Sequence, residues 1–468
     1  MPAKVIILHG YSDCSESFQS IKAYLIQNGV GSAQTILYGD YESREDSLTY
    51  NDVADGLNDA FKQAGILAAD GTALADLHVL VHSTGGLVIR HWIASYYGAN
   101  PGACPVKKIV MLAPANFGSP LAHRGKSFLG SLFKGRWKIG DFLEVGRTLL
   151  DGLELGSPFQ WNLAHKDLLR PDPYFHADGI QLTVLVGVRD YDGILGWVNK
   201  PGTDGTVVIS GTSLDTVKLT CAFSGRSDAS DPSYHWKKHA TVDQFAFGVL
   251  PDVNHGTIVD DFATKGVGEL VLSALRADKP AFLKLIDELE GLTQRTYRAA
   301  AKPQFQQFIV RAVDDLGEEL RDFNVEFYIS LVEIRDDAGG PAVRVLPKED
   351  ARSSAEVNGM ICSEFHAHTG NPAFRRFLVD PEAVLKRVLA AQGDLGKDIG
   401  LCMRISIPPV EKGIRYEDQD LGSVLLYCPG LKERQAVSFF SPNTTTLIEL
   451  CVNRVNDYIT LGPDPRKH

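Results

Sequence analysis

The sequence predicts an α/β fold, a mostly parallel sheet with helices on both faces, followed by a mainly β C-terminal domain. Three observations lead to this prediction. Short continuous apolar runs alternate with amphipathic stretches over residues 1–277, as in sheets whose strands are buried on both faces. A long amphipathic helical pattern follows over 278–303. From residue 304 onward, apolar and polar residues alternate, which is typical of half-buried strands in an antiparallel sandwich.

Size and charge limit the classes of protein to consider. The chain has 468 residues, enough for two or three domains with a large core. Its formal net charge of −11 disfavours a nucleic-acid partner, because phosphate binding needs a basic surface. The 7 cysteines are scattered without metal-ligand spacing, and their odd number favours reduced thiols over a disulfide framework. The composition is therefore that of an ordinary globular protein.

Targeting segments are not evident in the sequence. No apolar run approaches the roughly 20 residues that cross a bilayer. The N-terminal run at 5–8 is too short for the apolar core of a signal peptide. We therefore expect a protein that is cytoplasmic as synthesised, with secretion by a signal-independent route left open.

Buried strands are predicted at short apolar runs of the first part, and most lead into loops with small or polar residues. These runs are 5–8, 35–38, 79–82, 107–112, 182–188, 217–223 and 245–250. In an open parallel sheet, ligands bind beyond the carboxyl ends of the strands. The loops after these runs are therefore the places where we expect a functional site.

The stretch Val81-His82-Ser83-Thr84-Gly85 has the pattern of a nucleophile elbow, in which a strand turns sharply into a helix and exposes a serine. The usual form is G-x-S-x-G, and Val81 stands in place of the first glycine. His82 is expected to pack rather than react. We predict Ser83 as the nucleophile. The predicted oxyanion donors are the backbone N–H groups of Thr84 and of Tyr11, in the loop after the first strand.

A serine nucleophile needs a histidine base and an acid, which follow it in the order acid then histidine in folds with this elbow. Asp204 lies in a glycine-rich turn just before a β-branched run, and His255 directly follows the predicted strand 245–250. We therefore favour Asp204 as the acid and His255 as the base. The alternatives, which stay open at this point, are two carboxylates after a neighbouring strand and two histidines in a polar stretch: Asp190, Asp192, His235 and His239.

The pattern of alternating strands and helices stops from about residue 121 to 173, where no buried strand is predicted. An insertion at this point of an α/β fold lies over the carboxyl ends of the strands. We favour a lid or acyl-chain cleft over an ordinary helical cap with its own small core. The candidate lid or substrate-contacting residues are Phe128, Leu132, Phe133, Trp137 and Phe142.

Five segments in this order resemble lipases of the α/β-hydrolase superfamily: His9-Gly10, the Ser83 elbow with Gly85, Asn116 to Pro120, Asp204 to Val207 and Asn254-His255. The likeness is to bacterial triacylglycerol lipases and to lecithin–cholesterol acyltransferase-like and PGAP1-like phospholipases. It covers about residues 4–275. It implies the α/β-hydrolase fold for this part of the chain and says nothing about 304–468. From the residue pattern we predict 1–277 as the catalytic domain, 278–303 as a helical linker and 304–468 as a separate, mainly β domain. Binding of a membrane or a partner by this C-terminal domain is a hypothesis.

The resemblance also implies a function. We expect a serine ester hydrolase, a lipase or phospholipase, that acts on lipid esters through a Ser-Asp-His triad and an acyl-enzyme. No cofactor is expected, and a structural Ca²⁺, known in some lipases of this kind, is left open. The chain is also similar to type VI secretion lipase effectors, which implies contact with a membrane surface and an immunity protein as partner. The alternatives are an acyltransferase with the same triad and a non-catalytic scaffold with a binding C-terminal domain.

Overall fold

The computed structural model describes a parallel sheet, two further sheets and the helices packed on them. The described residues are 3–8, 18–32, 36–39, 46–122, 146–192, 199–223, 233–238, 244–337, 340–408, 413–416, 424–431 and 439–455.

A six-stranded parallel sheet forms the N-terminal part, in the strand order β2-β1-β3-β4-β5-β8. Its strands are β1 (Lys4–Leu8), β2 (Ile36–Gly39), β3 (Leu77–His82), β4 (Val106–Leu112), β5 (Gln181–Gly187) and β8 (Ala246–Leu250). The central strands are buried along most of their length, as their continuous apolar runs predict. Because every pair is parallel, the carboxyl ends of all six strands meet at one edge of the sheet.

Helices pack against this sheet and complete its core through apolar side chains such as Leu57, Trp92 and Phe282. They are α1 (Gln19–Gln27), α2 (Tyr50–Gln63), α3 (Gly85–Tyr97), α4 (Arg147–Leu153), α5 (Pro158–Asp167), α6 (Ile209–Thr212), α7 (Thr257–Asp260), α8 (Val267–Arg276) and α9 (Lys279–Ala300). Three of them begin at capping side chains, Thr49 for α2, Ser157 for α5 and Asp278 for α9. Within the described residues, no helix is both long enough and apolar enough to cross a membrane.

Two further sheets contain the other strands of the described residues. One is a four-stranded antiparallel sheet in the order β11-β10-β14-β15, and the other has six strands in the order β12-β13-β9-β16-β6-β7. The strands are β6 (Thr216–Phe223), β7 (Ser233–Lys238), β9 (Gln306–Asp314), β10 (Asn324–Asp337), β11 (Gly340–Glu349), β12 (Glu364–Ala367), β13 (Phe374–Val379), β14 (Ile399–Ser406), β15 (Val424–Tyr427) and β16 (Thr445–Val452). Two helices lie among them, α10 (Ala351–Cys362) and α11 (Pro381–Leu395). The C-terminal part is therefore mainly β, as predicted.

The six-stranded C-terminal sheet differs from a purely antiparallel arrangement. Its strand β16 pairs in parallel with β9 on one side and with β6 on the other. The run 217–223, predicted as a strand of the first part, forms β6 and joins this sheet instead of the parallel one. An apolar run predicts a strand but carries no information about its partner, because pairing is decided by distant residues.

This six-stranded sheet has a hydrophobic core on each of its faces. Side chains alternate along its strands, so Ile309 and Leu447 enter the core of the parallel sheet. Their neighbours Phe308 and Ile448 enter a second core, to which the four-stranded sheet and helices α10 and α11 also contribute. Complete burial of such a side chain contributes about 1.5–3 kcal/mol to stability. The sheet thus joins the two cores, and the division into separate domains at 277 and 304 stays a prediction.

Glu154, between α4 and α5, links the parallel-sheet part to the C-terminal part. Its buried carboxylate accepts hydrogen bonds from His366 Nε2 at 2.8 Å, from Thr369 Oγ1 at 2.7 Å and from the Thr369 N–H at 2.8 Å. Burial raises the pKa of Glu154, but these hydrogen bonds outweigh it and lower the pKa to about 2. The carboxylate is therefore charged at neutral pH and holds β12 and the segment after it in place.

Candidate active site

Ser83 lies in the sharp turn between β3 and α3 that the elbow pattern predicts. Strand β3 ends at His82, Ser83 has a φ of 53°, and α3 begins at Gly85. A positive φ is unfavourable for a residue with a side chain, and such strain is characteristic of functional turns. The serine side chain consequently stands at the carboxyl edge of the parallel sheet, beside the N-terminus of a helix.

Val81 fits at the position where the usual G-x-S-x-G elbow has its first glycine. It is 1% exposed and lies in register with Leu8 on one side and Met111 on the other. The close approach behind the elbow occurs at Gly86 instead, where an added Cβ would lie 2.8 Å from Pro114 Cβ and 2.9 Å from Asn116 Oδ1. The glycine that this elbow needs is therefore in the helix, against the loop that follows β4.

The structure brings Ser83, His255 and Asp204 together in one hydrogen-bonded chain. Ser83 Oγ lies 3.2 Å from His255 Nε2, and His255 Nδ1 lies 3.0 Å from Asp204 Oδ2. The side chains of His255 and Asp204 are 0% exposed. The other oxygen of Asp204 accepts the N–H groups of Thr206 at 3.0 Å and Val207 at 2.8 Å. The carboxylate is thus fixed in the orientation that the imidazole requires.

The loops that carry the acid and the base cross closely at the end of β5. His255 lies in the loop after β8, and its N–H donates to the backbone carbonyl of Asp204 at 3.2 Å. An added Cβ on Gly187, the last residue of β5, would lie 2.0 Å from the carbonyl oxygen of Val253. Only a glycine at this position lets the histidine loop pass over the strand end.

The alternative acids and bases have other surroundings. Asp190 pairs with Lys302 at 2.7 Å, and Asp192 pairs with Arg189 on the surface. His235 lies on β7, of which the structure describes only the backbone. His239 lies outside the described residues. Asp204 is therefore the carboxylate that the structure places against His255.

Tyr191 is a residue of this site that the sequence did not point to. Its hydroxyl lies 3.2 Å from Thr206 Oγ1, and its ring lies against Gly205, where an added Cβ would be 2.4 Å from Tyr191 Cδ2. Gly205 has a φ of 97°, so the turn after the acid needs a glycine for two reasons. Burial raises the pKa of the Tyr191 hydroxyl, which therefore stays protonated. Tyr191 thus supports the turn that carries Asp204.

The predicted oxyanion and lid residues are only partly described. Thr84 directly follows Ser83 at the N-terminus of α3, as predicted. The other predicted donor and the lid candidates lie outside the described residues: Tyr11, Phe128, Leu132, Phe133, Trp137 and Phe142. In the described part of the insertion, Leu149, Leu150 and Leu153 of α4 are buried in the core of the parallel sheet. That helix is part of the packed cap rather than an exposed apolar surface.

Metal ligation receives no support from the described part of the chain. Across those residues, histidine, cysteine and acidic side chains do not form a group of three or more suited to a metal ion. The arrangement of Ser83, His255 and Asp204 can perform acyl transfer with its own groups.

Comparisons with known proteins give a structural likeness. No family model matches the chain, and no curated protein matches it. A structure of phospholipase PlaB from Legionella pneumophila in complex with thio-NAD superposes with a TM-score of 0.76 at 23% identity, over 98% of this chain and 97% of that one. The chain has the fold of PlaB. A second PlaB structure gives a TM-score of 0.74 at 22% identity, with the same coverage. The likeness to PlaB includes the C-terminal sheets, so the predicted α/β-hydrolase fold with a mainly β C-terminal part is confirmed.

A metagenomic carboxyl esterase, MGS0156, matches a smaller part of the chain. Its TM-score is 0.36 at 14% identity, over 62% of this chain and 76% of that one.

Proposed function

We propose that this protein is a serine ester hydrolase of the lipase or phospholipase type, which cleaves carboxylic esters of lipids. The observation that carries the proposal is the hydrogen-bonded chain from Ser83 through His255 to Asp204, at the carboxyl edge of a parallel sheet. A strained serine, a buried imidazole within reach of it and a buried carboxylate behind that imidazole are the three parts that nucleophilic acyl transfer needs.

Acylation begins with His255 as general base. Its Nε2 takes the proton of Ser83 Oγ as the oxygen attacks the ester carbonyl carbon. The imidazolium that forms is stabilised by Asp204, whose carboxylate is held by two backbone N–H groups. Collapse of the tetrahedral intermediate expels the alcohol, which receives the proton from His255. The product of this half-reaction is an acyl group esterified to Ser83.

Deacylation repeats these steps with water as the nucleophile. His255 removes a proton from the water, which attacks the acyl carbonyl, and Ser83 leaves with that proton. In both half-reactions the developing oxyanion needs backbone donors, for which we propose the N–H groups of Thr84 and Tyr11. Thr84 is suited to this role because it follows the nucleophile at a helix N-terminus, where the partial positive charge of the helix favours an anion.

Two points support a lipid ester as the substrate. The protein shares its fold over nearly the whole chain with PlaB, whose name describes a phospholipase. The predicted lid or acyl-chain cleft at about 121–173 carries large apolar residues such as Phe128, Phe133 and Trp137, which suit acyl chains better than small polar esters. An acyltransferase would use the same triad with a second alcohol in place of water, so the reaction products distinguish the two.

The experiment is a lipid-panel assay of fatty-acid release by the full-length protein. Triacylglycerol emulsions, phospholipid vesicles and p-nitrophenyl esters of increasing chain length serve as substrates for the wild type, Ser83→Ala and Ser273→Ala. Ser273 is an exposed serine on α8 and provides a matched control. We expect the wild type to release long-chain fatty acids. Ser83→Ala should lose at least about 10⁴-fold in kcat, whereas Ser273→Ala should match the wild type.

Two results would contradict the proposal. Lipid hydrolysis that persists in Ser83→Ala would exclude Ser83 as the nucleophile. If the protein hydrolyses short p-nitrophenyl esters but no lipid of the panel, it is an esterase and lipids are excluded as its substrates. Acyl transfer to an added alcohol in preference to water would favour the acyltransferase alternative.

A further inference from the structure

His82 lies between the nucleophile and the base without being part of the proposed triad. It is the last residue of β3, directly before Ser83, and only 4% of it is exposed. Its Nε2 lies 3.1 Å from the backbone carbonyl oxygen of His255. Because a carbonyl oxygen only accepts, the proton of this hydrogen bond must be on His82 Nε2. One side chain therefore connects the nucleophile's strand to the base's backbone, across 173 positions of sequence.

The two imidazole rings are also in contact. Their centroids lie 4.8 Å apart, with the ring planes at 44°. The ring of Phe18 lies near His82 as well, with centroids 6.1 Å apart. His82 is thus packed between an apolar ring and the imidazole of His255.

With His82 included, every polar group of His255 has a partner. Its backbone N–H donates to the Asp204 carbonyl, its Nδ1 contacts the Asp204 carboxylate, and its Nε2 contacts Ser83 Oγ. The remaining group is its carbonyl, which accepts from His82. Asp204 and Ser83 both take part in the proposed reaction, so His82 is the partner whose contribution is purely geometric.

We propose that His82 is a positioning residue that fixes the backbone of the catalytic base relative to Ser83. This inference rests on the proposed function. Without the bond from His82, the buried carbonyl of His255 would lose its partner, and the loop after β8 would shift to find another one. Proton transfer requires the imidazole and the serine to be within hydrogen-bond reach, so a displacement of about 1 Å is expected to cost up to 10²-fold in rate.

The experiment compares three histidine variants of the full-length protein by kcat and KM on a soluble p-nitrophenyl ester. His82→Phe keeps a ring and removes the donor, and His82→Gln restores a donor at a similar reach. His78→Phe is the matched control, since His78 lies on the same strand, roughly 13 Å away along β3. Each variant is also tested for thermal stability, and Ser83→Ala is assayed alongside them.

We expect His82→Phe to lower kcat by about 10- to 100-fold with little change in KM, and His82→Gln to recover most of that loss. His78→Phe should leave kcat unchanged. The inference is overturned if His82→Phe retains wild-type kcat. It is also overturned if the loss follows a fall in melting temperature that His82→Gln does not repair, because His82 would then only support the fold. Ser83→Ala separates the two claims, since activity in that variant refutes the proposed function itself.

Discussion

Replacing Asp204 by asparagine is expected to lower kcat by about 10⁴-fold and to leave the fold intact. The reason lies in the two oxygens of the carboxylate. One accepts the N–H groups of Thr206 and Val207, so the asparagine carbonyl will take that position. Its NH₂ group then faces His255 Nδ1, where the carboxylate oxygen stood. A donor there forces the proton onto Nε2, and His255 can no longer accept the proton of Ser83.

The measurement is kcat for Asp204→Asn on a p-nitrophenyl ester, beside Asp190→Asn and Asp192→Asn. Both controls remove a carboxylate on the same side of the molecule, and both side chains are paired with a cation rather than with His255. They should stay within about threefold of the wild type, as surface ion pairs contribute little. A large loss in either control, with near-normal activity in Asp204→Asn, would move the acid away from Asp204.

Replacing Asp167 by asparagine is expected to lower the free energy of unfolding by about 3–5 kcal/mol. Asp167 and Arg90 form an ion pair in which both side chains are 0% exposed, with Arg90 Nε 2.7 Å and Nη2 3.1 Å from the carboxylate. The substitution leaves the Arg90 charge buried without a counter-charge. Arg90 belongs to α3 and also donates to the Asn116 carbonyl, so the pair supports the helix that begins at the elbow.

Urea denaturation of Asp167→Asn and Glu288→Gln measures this difference. Glu288 pairs with Lys284 at 3.1 Å on the exposed side of α9, and its loss should cost no more than about 0.5 kcal/mol. The double variant Arg90→Met with Asp167→Leu should be more stable than Asp167→Asn, because no unpaired charge remains. If Asp167→Asn and Glu288→Gln lower the free energy of unfolding equally, the buried ion pair contributes no more to stability than the exposed one, which contradicts this prediction.

The members of the proposed triad could be predicted because each has a local signal. A buried run followed by a serine and two glycines predicts the elbow around Ser83, and His255 follows a strand directly. For the acid, the sequence favours Asp204 but leaves Asp190 and Asp192 open, since these two also follow a strand. The choice among these carboxylates required the structure, because Asp190 pairs with Lys302, a residue 112 positions away in the sequence.

Other features of the site and of the fold depend on long-range contacts that no local pattern carries. The bond from His82 to His255 spans 173 residues, and the bond from His366 to Glu154 spans 212. Strand β6 likewise pairs with the distant strand β16, so the run 217–223 predicted a strand but not its sheet. The structure also explains why a valine is tolerated at position 81. At this elbow the close contact between helix α3 and the loop after β4 occurs at Gly86.

Covalent labelling of the active serine tests the central claim most directly. The wild type is treated with a fluorophosphonate, which transfers one phosphonyl group to an activated serine, and the modified site is located by peptide mass spectrometry. We predict one phosphonyl group per chain, on Ser83, with loss of lipid hydrolysis in proportion to labelling and no labelling in Ser83→Ala. Modification of a different serine, or complete inhibition with Ser83 unmodified, would contradict the assignment of Ser83 as the nucleophile.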